Sequence, residues 1–457
     1  MSDSSASQRR APTASRRAPG ASERPPATLL YILVAALLVA FAVAGALADG
    51  VGPTVRGLWE IQIHPARLVN DFTAVAGTGA ALVNASLVAL IGLVLVRING
   101  VRLSGPTVAA VFTMFGFGLF GKTPLNVIPI ILGVAASARI ARRTFREYIL
   151  IALFGTAVAP LVSTVAVEVA LPLAVRVPAA VCAGVAVGVV LPAVAMSMLR
   201  LHQGYNLYNV GLTSGFLALF AAAVIVGSGG PADTAMVWNG EPSLLLELLV
   251  PATGVVLVLA GVPAGGLEAL RSFRRILKLP GRLPSDFMDM ESIAGALINM
   301  GVMAILLWLY VVVVGGDLNG PVLGGIFTVV GFAGFGKHPR NVWPVIAGIV
   351  LAALVFGRDL SAPGVILAAL FGTTLAPLAG DFGIGIGVIA GFLHLAVVLR
   401  SGEWHAGIAL YNNGFAGGLT ATLLVSIIEW YRANTSSERR DRRRSGAGTI
   451  RSGEGER

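Results

Sequence analysis

Two lysines stand inside strongly apolar sequence, and both lie in the same short motif. FGKTPLN at 120–126 returns as FGKHPRN at 335–341, so Lys337 follows Lys122 by 337 − 122 = 215 residues. An ionisable side chain in hydrocarbon costs free energy on the order of a few kcal/mol, which makes each lysine a functional candidate. The ammonium groups could attract an anion or donate to a polar solute. They could equally bind carbonyls freed where the proline breaks the helix, and the sequence leaves both roles open.

A second duplicated block supplies neutral polar groups. The pattern His-x-Gly-x-x-Leu-Tyr-Asn-x-Gly occupies 202–211 and 405–414. Its Tyr-Asn pairs can line a polar pore or hold a dipolar solute, whereas its glycines allow close helix packing. Asparagines within or just after apolar runs can cap a helix, bond across helices or contact the pathway. The candidate pathway residues are Lys122, Lys337, Asn126, Asn341, Tyr208, Asn209, Tyr411, Asn412, Asn84 and Asn299.

Coupling of transport to an ion gradient would need a further ionisable site. Asp381, at the end of an apolar run, and His394, inside the next run, are the candidates, and neither has an ionisable counterpart in the first half. No nucleotide-binding loop, zinc motif or nucleophile elbow occurs, and 57 glycines make isolated Gly-x-Gly matches uninformative. We therefore expect no catalytic residue, no metal and no cofactor in a protein that is not an enzyme.

The composition is that of a membrane protein. Of 457 residues, 56% are hydrophobic and 12% are charged, with a mean hydropathy of +0.82. Soluble domains carry about 25% charged residues. The long unbroken apolar runs also exclude an outer-membrane barrel, whose strands alternate polar and apolar residues. Cys182 is the single cysteine, so one chain cannot form a disulfide framework.

The elements that position these residues form two related halves. Five blocks of sequence recur in the same order, at offsets of 215 to 217 residues and finally 203. Apolar runs of the length of a membrane helix predict seven candidate spans in each half. They are 28–48, 73–96, 106–121, 124–139, 148–170, 178–199 and 206–227, then 243–265, 292–315, 321–336, 340–357, 362–380, 383–399 and 406–430.

An odd number of spans per half would place the two halves antiparallel in the bilayer. The pieces at 106–121, 124–139 and 321–336 are short and interrupted by glycine or proline. Five spans plus re-entrant elements per half would preserve the same inversion. The sequence thus predicts an all-α integral membrane protein with two inverted-topology repeats. Each repeat would hold about five to seven transmembrane helices, some of them broken or re-entrant.

The charge of equivalent loops reverses between the halves, as an inversion requires, because Lys and Arg favour the cytoplasmic side. The 139–146 loop carries four arginines and its counterpart near 358 carries one, whereas 266–290 is more basic than its counterpart 49–71. The net charge of +10 resides mostly in the termini, which lack apolar residues. We expect these tails to anchor the topology rather than to bind nucleic acid.

These features divide the chain into five segments. We expect a disordered basic cytoplasmic tail at 1–26, membrane repeat 1 at 27–230, an extracytoplasmic linker at 231–242, membrane repeat 2 at 243–431 and a second disordered basic cytoplasmic tail at 432–457. Both termini would then be cytoplasmic in a multi-pass protein. The lipid bilayer and a small solute are the expected partners, and a homo-oligomer is left open.

The duplicated motifs resemble those of a family of bacterial polytopic membrane proteins known as domain of unknown function 1576. The resemblance rests on Phe120–Asn126, Phe335–Asn341 and Leu410–Gly418 and covers about 50–430. It implies an architecture and the bacterial inner membrane, and no established activity. In architecture the chain is also similar to urea channels, which have inverted halves with an aromatic-rich stretch and a later Tyr-Asn block. Here 120–125 and 204–211 are the analogues, and the lysine in each break departs from that pattern.

The residues favour transport across a membrane. We expect a channel or facilitative transporter for a small polar or anionic solute, with a pathway between the halves. An ion-coupled secondary transporter using Asp381, with His394 as a relay, is one alternative. A membrane scaffold or accessory subunit without transport is another. A polar cavity that reaches both lysines would support transport, whereas a dry, solidly packed midplane would oppose it.

Overall fold

The computed structural model describes residues 27–232 and 235–450, with side chains from 28 to 435 outside the gap. Within these ranges the chain is helical, apart from loops and one isolated bridge between Asn70 and Val237. The predicted tail at 1–26 and residues 451–457 lie outside the described residues. The all-helical membrane class predicted from composition is confirmed.

The helices follow the apolar runs of the sequence. The first ten are α1 (Ala27–Asp49), α2 (Val51–Gln62), α3 (Phe72–Ala76), α4 (Thr78–Ile98), α5 (Gly105–Gly118), α6 (Pro124–Ile140), α7 (Phe145–Gly155), α8 (Ala159–Val167), α9 (Leu173–His202) and α10 (Asn209–Gly227). The others are α11 (Leu244–Ile276), α12 (Phe287–Met290), α13 (Ile293–Val313), α14 (Gly320–Phe332), α15 (Pro339–Val355), α16 (Pro363–Phe371), α17 (Ala376–Phe382), α18 (Ile384–Trp404) and α19 (Asn412–Ile450). Short 3₁₀ turns at Thr156–Val158 and Gly372–Leu375 join α7 to α8 and α16 to α17.

Ten helical stretches of the described chain are long and apolar enough to cross a membrane, and four apolar helices are shorter. α5 and α14 have 14 and 13 residues, which reach about 20 Å and fall short of a hydrocarbon layer of roughly 30 Å. α6 and α15 have 17 residues each. The predicted seven spans per half therefore become five long stretches and two short helices, because the FGK motif ends α5 and α14 early.

Two helical segments lie where the sequence predicted loops or disorder. α2 occupies 51–62 and buries Thr54, Gly57 and Ile61. At the C-terminus, α19 continues to Ile450, into the segment predicted as a disordered tail at 432–457. The residues from 432 to 445 contain no proline or glycine that would end this helix.

Glycines bring the short helices together at the buried centre. A Cβ atom on Gly116 of α5 would lie 2.5 Å from the carbonyl oxygen of Gly324 of α14, and the reverse distance is also 2.5 Å. The starts of α10 and α19 meet in the same way at Gly211 and Gly414, where a Cβ on either would lie about 3 Å from the other's Cα. All residues of α5 and α14 except Pro106 are buried. These two helices therefore form the core around which the longer helices pack.

The loops gather on two opposite faces. The first, which we call the basic face, includes the segments around 102, 200–204 and 282–289. There Arg102 pairs with Asp289 at 2.5 Å, and Leu283 N donates to Gly204 O at 3.1 Å. The opposite face is built from 66–71, 235–241, 317–320 and 402–407. The linker covers this second face, because Val237 N donates to Val69 O at 3.0 Å and Trp238 Nε1 donates to Asp317 at 2.7 Å.

Asp71 ties the linker to both halves of the chain on the opposite face. Its carboxylate accepts from Thr73 N at 2.9 Å, from Asn239 N at 3.2 Å and from the backbone N–H of Gly320. Burial raises the pKa of Asp71 to about 6, although these donors favour the ionised form. Asp286, its counterpart at an offset of 215, likewise accepts from the N–H of Gly105 at 3.1 Å.

The pKa of Asp71 predicts a pH dependence of stability. A carboxyl whose folded pKa lies above its unfolded value of 3.8 stabilises the fold below about pH 4, and this contribution is lost as the pH rises through about 6. About two pKa units correspond to about 3 kcal/mol. Thermal unfolding from pH 4 to pH 8 should show that wild type loses more stability than Asp71→Asn, which cannot titrate there. Equal slopes for the two proteins would contradict this account.

Candidate functional site

Each FGK motif is a break between two short helices. α5 gives way to α6 at Thr123, and α14 gives way to α15 at His338. Pro124 and Pro339 begin the second helix, and the residue before each proline is extended. The chain therefore turns inside apolar surroundings, where its freed backbone groups need partners from the protein.

Asn126 and Asn341 cap the helix that follows each break. Thr123 N donates to Asn126 Oδ1 at 2.8 Å, and His338 N donates to Asn341 Oδ1 at 2.9 Å. The two amide nitrogens donate to carbonyls within the breaks, those of Gly121 at 2.9 Å and Gly336 at 3.0 Å. Of the two roles considered from the sequence, capping is thus the one that these side chains perform in this conformation.

Asn84 and Asn299 bind the carbonyls on both sides of each break. Asn84 Nδ2 donates to Gly118 O at 2.7 Å and to Lys122 O at 2.8 Å. Asn299 Nδ2 donates at 2.8 Å to the carbonyls of both Ala333 and Lys337. Both side chains are fully buried, and both amide hydrogens are engaged. These asparagines hold the breaks in shape from helices α4 and α13.

Lys337 is fully buried and donates to two neutral hydroxyls. Its Nζ lies 2.5 Å from the Tyr208 hydroxyl and 2.8 Å from Thr373 Oγ1. The same atom lies over the rings of Tyr208 and Phe332, at 4.2 Å and 5.1 Å from their centroids. Neither hydrogen-bond partner is a carboxylate. The side chain is thus held by polar and aromatic groups rather than by a counter-charge.

Lys122 is equally buried but lacks the hydrogen bonds that Lys337 makes. Its Nζ has no hydrogen-bond partner among the described residues, and it lies 5.1 Å from the centroid of Phe117. The groups equivalent to the partners of Lys337 are Tyr411 and Thr156. Tyr411 instead donates to Thr113 Oγ1 at 3.3 Å. A buried amine without a hydrogen bond is costly, so Lys122 lowers the stability of this conformation relative to one in which its Nζ is bonded.

A continuous aromatic path joins the two lysines. Phe117 lies 4.5 Å from Tyr411, and Tyr411 lies 4.8 Å from Tyr208, by ring centroids. Tyr208 in turn lies 4.6 Å from Phe332. We call Lys122, Tyr411, Tyr208 and Lys337 the lysine–tyrosine cluster. It brings together four of the predicted pathway residues at the centre of the fold.

Asn209 and Asn412 do not join this cluster. Asn209 Oδ1 lies 3.0 Å from His202 Nε2, and Asn412 Oδ1 lies 3.1 Å from His405 Nε2. Their amide nitrogens donate to carbonyls of the preceding helix, those of Ala195 and Val398. They fasten the starts of α10 and α19 to the ends of α9 and α18.

The two candidates for ion coupling occupy unlike environments. Asp381 is exposed and is hydrogen-bonded to Tyr205 on the basic face. His394 is fully buried, and its Nε2 lies 2.9 Å from Asn413 Oδ1. The structure therefore pairs each residue with a different partner, and no bond between the two supports a relay.

A cavity of about 700 Å³ descends from the basic face to the cluster. Tyr208 and Tyr411 line it, and Phe332 and Phe335 form part of its wall. Both lysines are fully buried, so the tyrosines separate them from this space. The cavity therefore ends at the aromatic path and reaches neither lysine, so in this conformation it is not the polar cavity joining both lysines that the transport hypothesis predicted.

The equivalent positions on the opposite face are covered. Arg67 and Leu68 correspond to the cavity residues Arg282 and Leu283 at the offset of 215. Arg67 is buried in an ion pair with Glu168, and Leu68 N donates to Gly407 O at 2.9 Å. Asn70, the counterpart of Ser285, donates to the linker at Ala235 O at 3.3 Å. The linker thus makes the two faces unequal.

Sequence reasoning missed several members of the site. Thr373, Phe117 and Phe332 were not among the candidates, although Phe117 and Phe332 are equivalent at the lysine offset of 215 and Thr373 repeats Thr156 at 217. Arg200, in the last turn of α9, and Arg282, in the basic 266–290 segment, line the cavity and were not among the candidates either. The repeat itself was the available signal for the first three. Only the packing of one half against the other identifies their partners.

In the described part of the chain, ten long apolar helical stretches and two pairs of short apolar helices define a multi-pass α-helical membrane protein. The chain belongs to the family described as "Protein of unknown function (DUF1576)", whose model matches residues 52–226 and 267–430. The family resemblance expected from the duplicated FGK motif and from Leu410–Gly418 is confirmed. Comparison with curated proteins and with solved structures gives no match.

The asparagines at the breaks generate a stability prediction. Asn84→Ala and Asn299→Ala each leave two buried carbonyls without their donor, so each should lower the free energy of unfolding by about 1–3 kcal/mol. Asn99→Ala, which removes one bond to Leu95 O at a helix end, is the matched control and should have a smaller effect. Unfolding in detergent measures all three. If Asn84→Ala and Asn299→Ala both keep the stability of wild type, the two side-chain amides do not stabilise the breaks.

Proposed function

We propose that this protein is a channel or facilitative transporter for a small polar or anionic solute. The main support is a pair of buried lysines at the two ends of an aromatic path. The two tyrosines of this path line a cavity on the basic face. Two buried amines without a carboxylate partner among the described residues suit a solute that accepts hydrogen bonds or carries negative charge.

The pathway in this proposal lies between two inverted repeats. The support is the pairing of equivalent residues across the centre: Gly211 with Gly414, and Tyr208 with Tyr411. Such pairs occur where a pseudo-two-fold axis relates the halves. The short helices α5–α6 and α14–α15 would enter from opposite sides as re-entrant hairpins. The arginine-rich basic face would be cytoplasmic, by the preference of Lys and Arg for that side.

The unequal bonding of the two lysines suggests how such a transporter would work. Inverted halves can exchange conformations, which moves the opening from one face to the other. After the exchange, Lys122 would take the bonds to Tyr411 and Thr156 that Lys337 now makes to Tyr208 and Thr373. The linker would leave the opposite face, while 200–204 and 282–285 would close the basic face. This scheme describes a carrier whose gates alternate.

The lysines should be required for flux. Lys122→Met and Lys337→Met keep an unbranched side chain of nearly the same length and remove its charge, so each should lower permeation at least about tenfold. Swelling of proteoliposomes in potassium formate, potassium benzoate, urea and glycerol, with valinomycin present, measures the flux of small and aromatic anions and of neutral polar solutes. Lys278→Met, at an exposed lysine, is the control. Wild-type flux in both buried-site variants would exclude a transport role for the lysines, and no flux of any solute in wild type would argue against transport.

Locking the linker should stop transport if the opposite face must open. Asn70 and Val237 form a bridge, so Asn70→Cys with Val237→Cys places two thiols side by side. In a Cys182→Ser background, oxidation should abolish flux and reduction should restore it. Each single-cysteine variant under the same oxidant is the control. Full flux through the cross-linked protein would show that the linker is static.

A further inference from the structure

The cavity combines apolar walls with a cationic rim. Phe154, Phe332 and Phe335 contribute aromatic walls, and Arg200 and Arg282 are its charged lining residues. No aspartate or glutamate of the described chain is among the lining residues. Cavities that hold ligands of drug size occupy about 300–1,000 Å³ and are mostly apolar with a few placed polar groups. At about 700 Å³, this cavity matches that range.

Arg282 is oriented for an anion at the rim. Its Nε donates to Gln203 O at 2.9 Å, and its guanidinium carbon lies 4.2 Å from the centroid of Tyr205. This stacking fixes the plane of the guanidinium. Neither Arg282 nor Arg200 forms an ion pair with a carboxylate of the described chain. A planar guanidinium in this state binds a carboxylate well.

The carboxylates around the rim are bonded to other groups. Asp381 is hydrogen-bonded to Tyr205, and Glu429 accepts from Gln203 Nε2 at 2.8 Å. Asp286 accepts from the backbone of Gly105 and of α12. These carboxylates thus bond to neutral donors and form no ion pair with Arg200 or Arg282, which leaves the two guanidinium groups free to contact a ligand.

We infer that the cavity binds an organic monoanion with an apolar body, of the class of aromatic or medium-chain carboxylates. The carboxylate lies at Arg200 and Arg282, and the apolar body packs against Phe154, Phe332 and Phe335 above Tyr208. A urea-like solute or a small inorganic ion would leave most of this apolar wall in contact with water. The inference rests on the proposed transport function for its role, and names the substrate class.

Binding is testable without flux. The probe is 2-naphthoate, with the neutral 2-naphthamide and the cationic 2-naphthylmethylammonium as matched analogues. Full-length protein in phosphatidylcholine nanodiscs should bind naphthoate at least about tenfold more tightly than either analogue. Empty nanodiscs correct for partition into lipid. Equal binding of all three probes, or no binding above empty nanodiscs, would overturn the inference.

Substitutions of residues that line the cavity test whether naphthoate binds there. Arg200→Gln and Arg282→Gln should each weaken naphthoate binding about tenfold and leave naphthamide unchanged, whereas Phe335→Ala should weaken both. Arg274→Gln, an exposed arginine outside the lining, is the control. Naphthoate binding that survives both rim variants would overturn the assignment.

The same assay separates a solute from a lipid, and binding from transport. Displacement of naphthoate by phosphatidylglycerol in the nanodisc would assign the cavity to lipid and overturn the inference. Tight naphthoate binding without flux of any solute would uphold the binding site while transport fails. Flux of formate or urea without naphthoate binding would uphold transport while the substrate class fails.

Discussion

A helix that ends inside a bilayer leaves carbonyl groups that water cannot reach, and the rest of this structure depends on how those groups are bound. Asn84 and Asn299 each place one amide between the two carbonyls that flank a break. With these bonds in place, α5 and α14 can end at the centre of the protein. The lysine within each break is thereby held beside aromatic rings in the interior of the protein.

The two breaks share a sequence pattern and differ in bonding. Lys337 donates to two hydroxyls, whereas Lys122 donates a hydrogen bond to none of the described residues and lies over the ring of Phe117. The faces differ in the same sense, since the cavity that reaches the two tyrosines is lined by loops of the basic face, whereas the linker covers the equivalent positions on the opposite face. A linker joins the halves once, so it can cover one face only. This inequality between equivalent parts is what the proposed alternation of gates would reverse.

Much of the fold could be predicted from periodicity and composition. The long helices, the two interrupted pairs and the duplication all appear in the apolar runs and in the offset of 215. The roles of single polar residues could not be predicted as well. Asn126 was open between capping and solute contact, and the structure gives it a cap. Asp381, expected at the end of an apolar run as a candidate for ion coupling, is exposed beside Tyr205, and its helix ends at Phe382 on the basic face.

By itself, the sequence determined the membrane class, the helix breaks and the pairs of equivalent residues. These follow from local chemistry: hydrophobicity over about twenty residues, proline after an extended residue, and identical letters at a constant offset. The tertiary structure alone decided which tyrosine meets which lysine, which face is open and where the arginines stand. Lys337 meets Tyr208 across 129 residues of chain. Such contacts arise from packing one half against the other, and no local pattern encodes them.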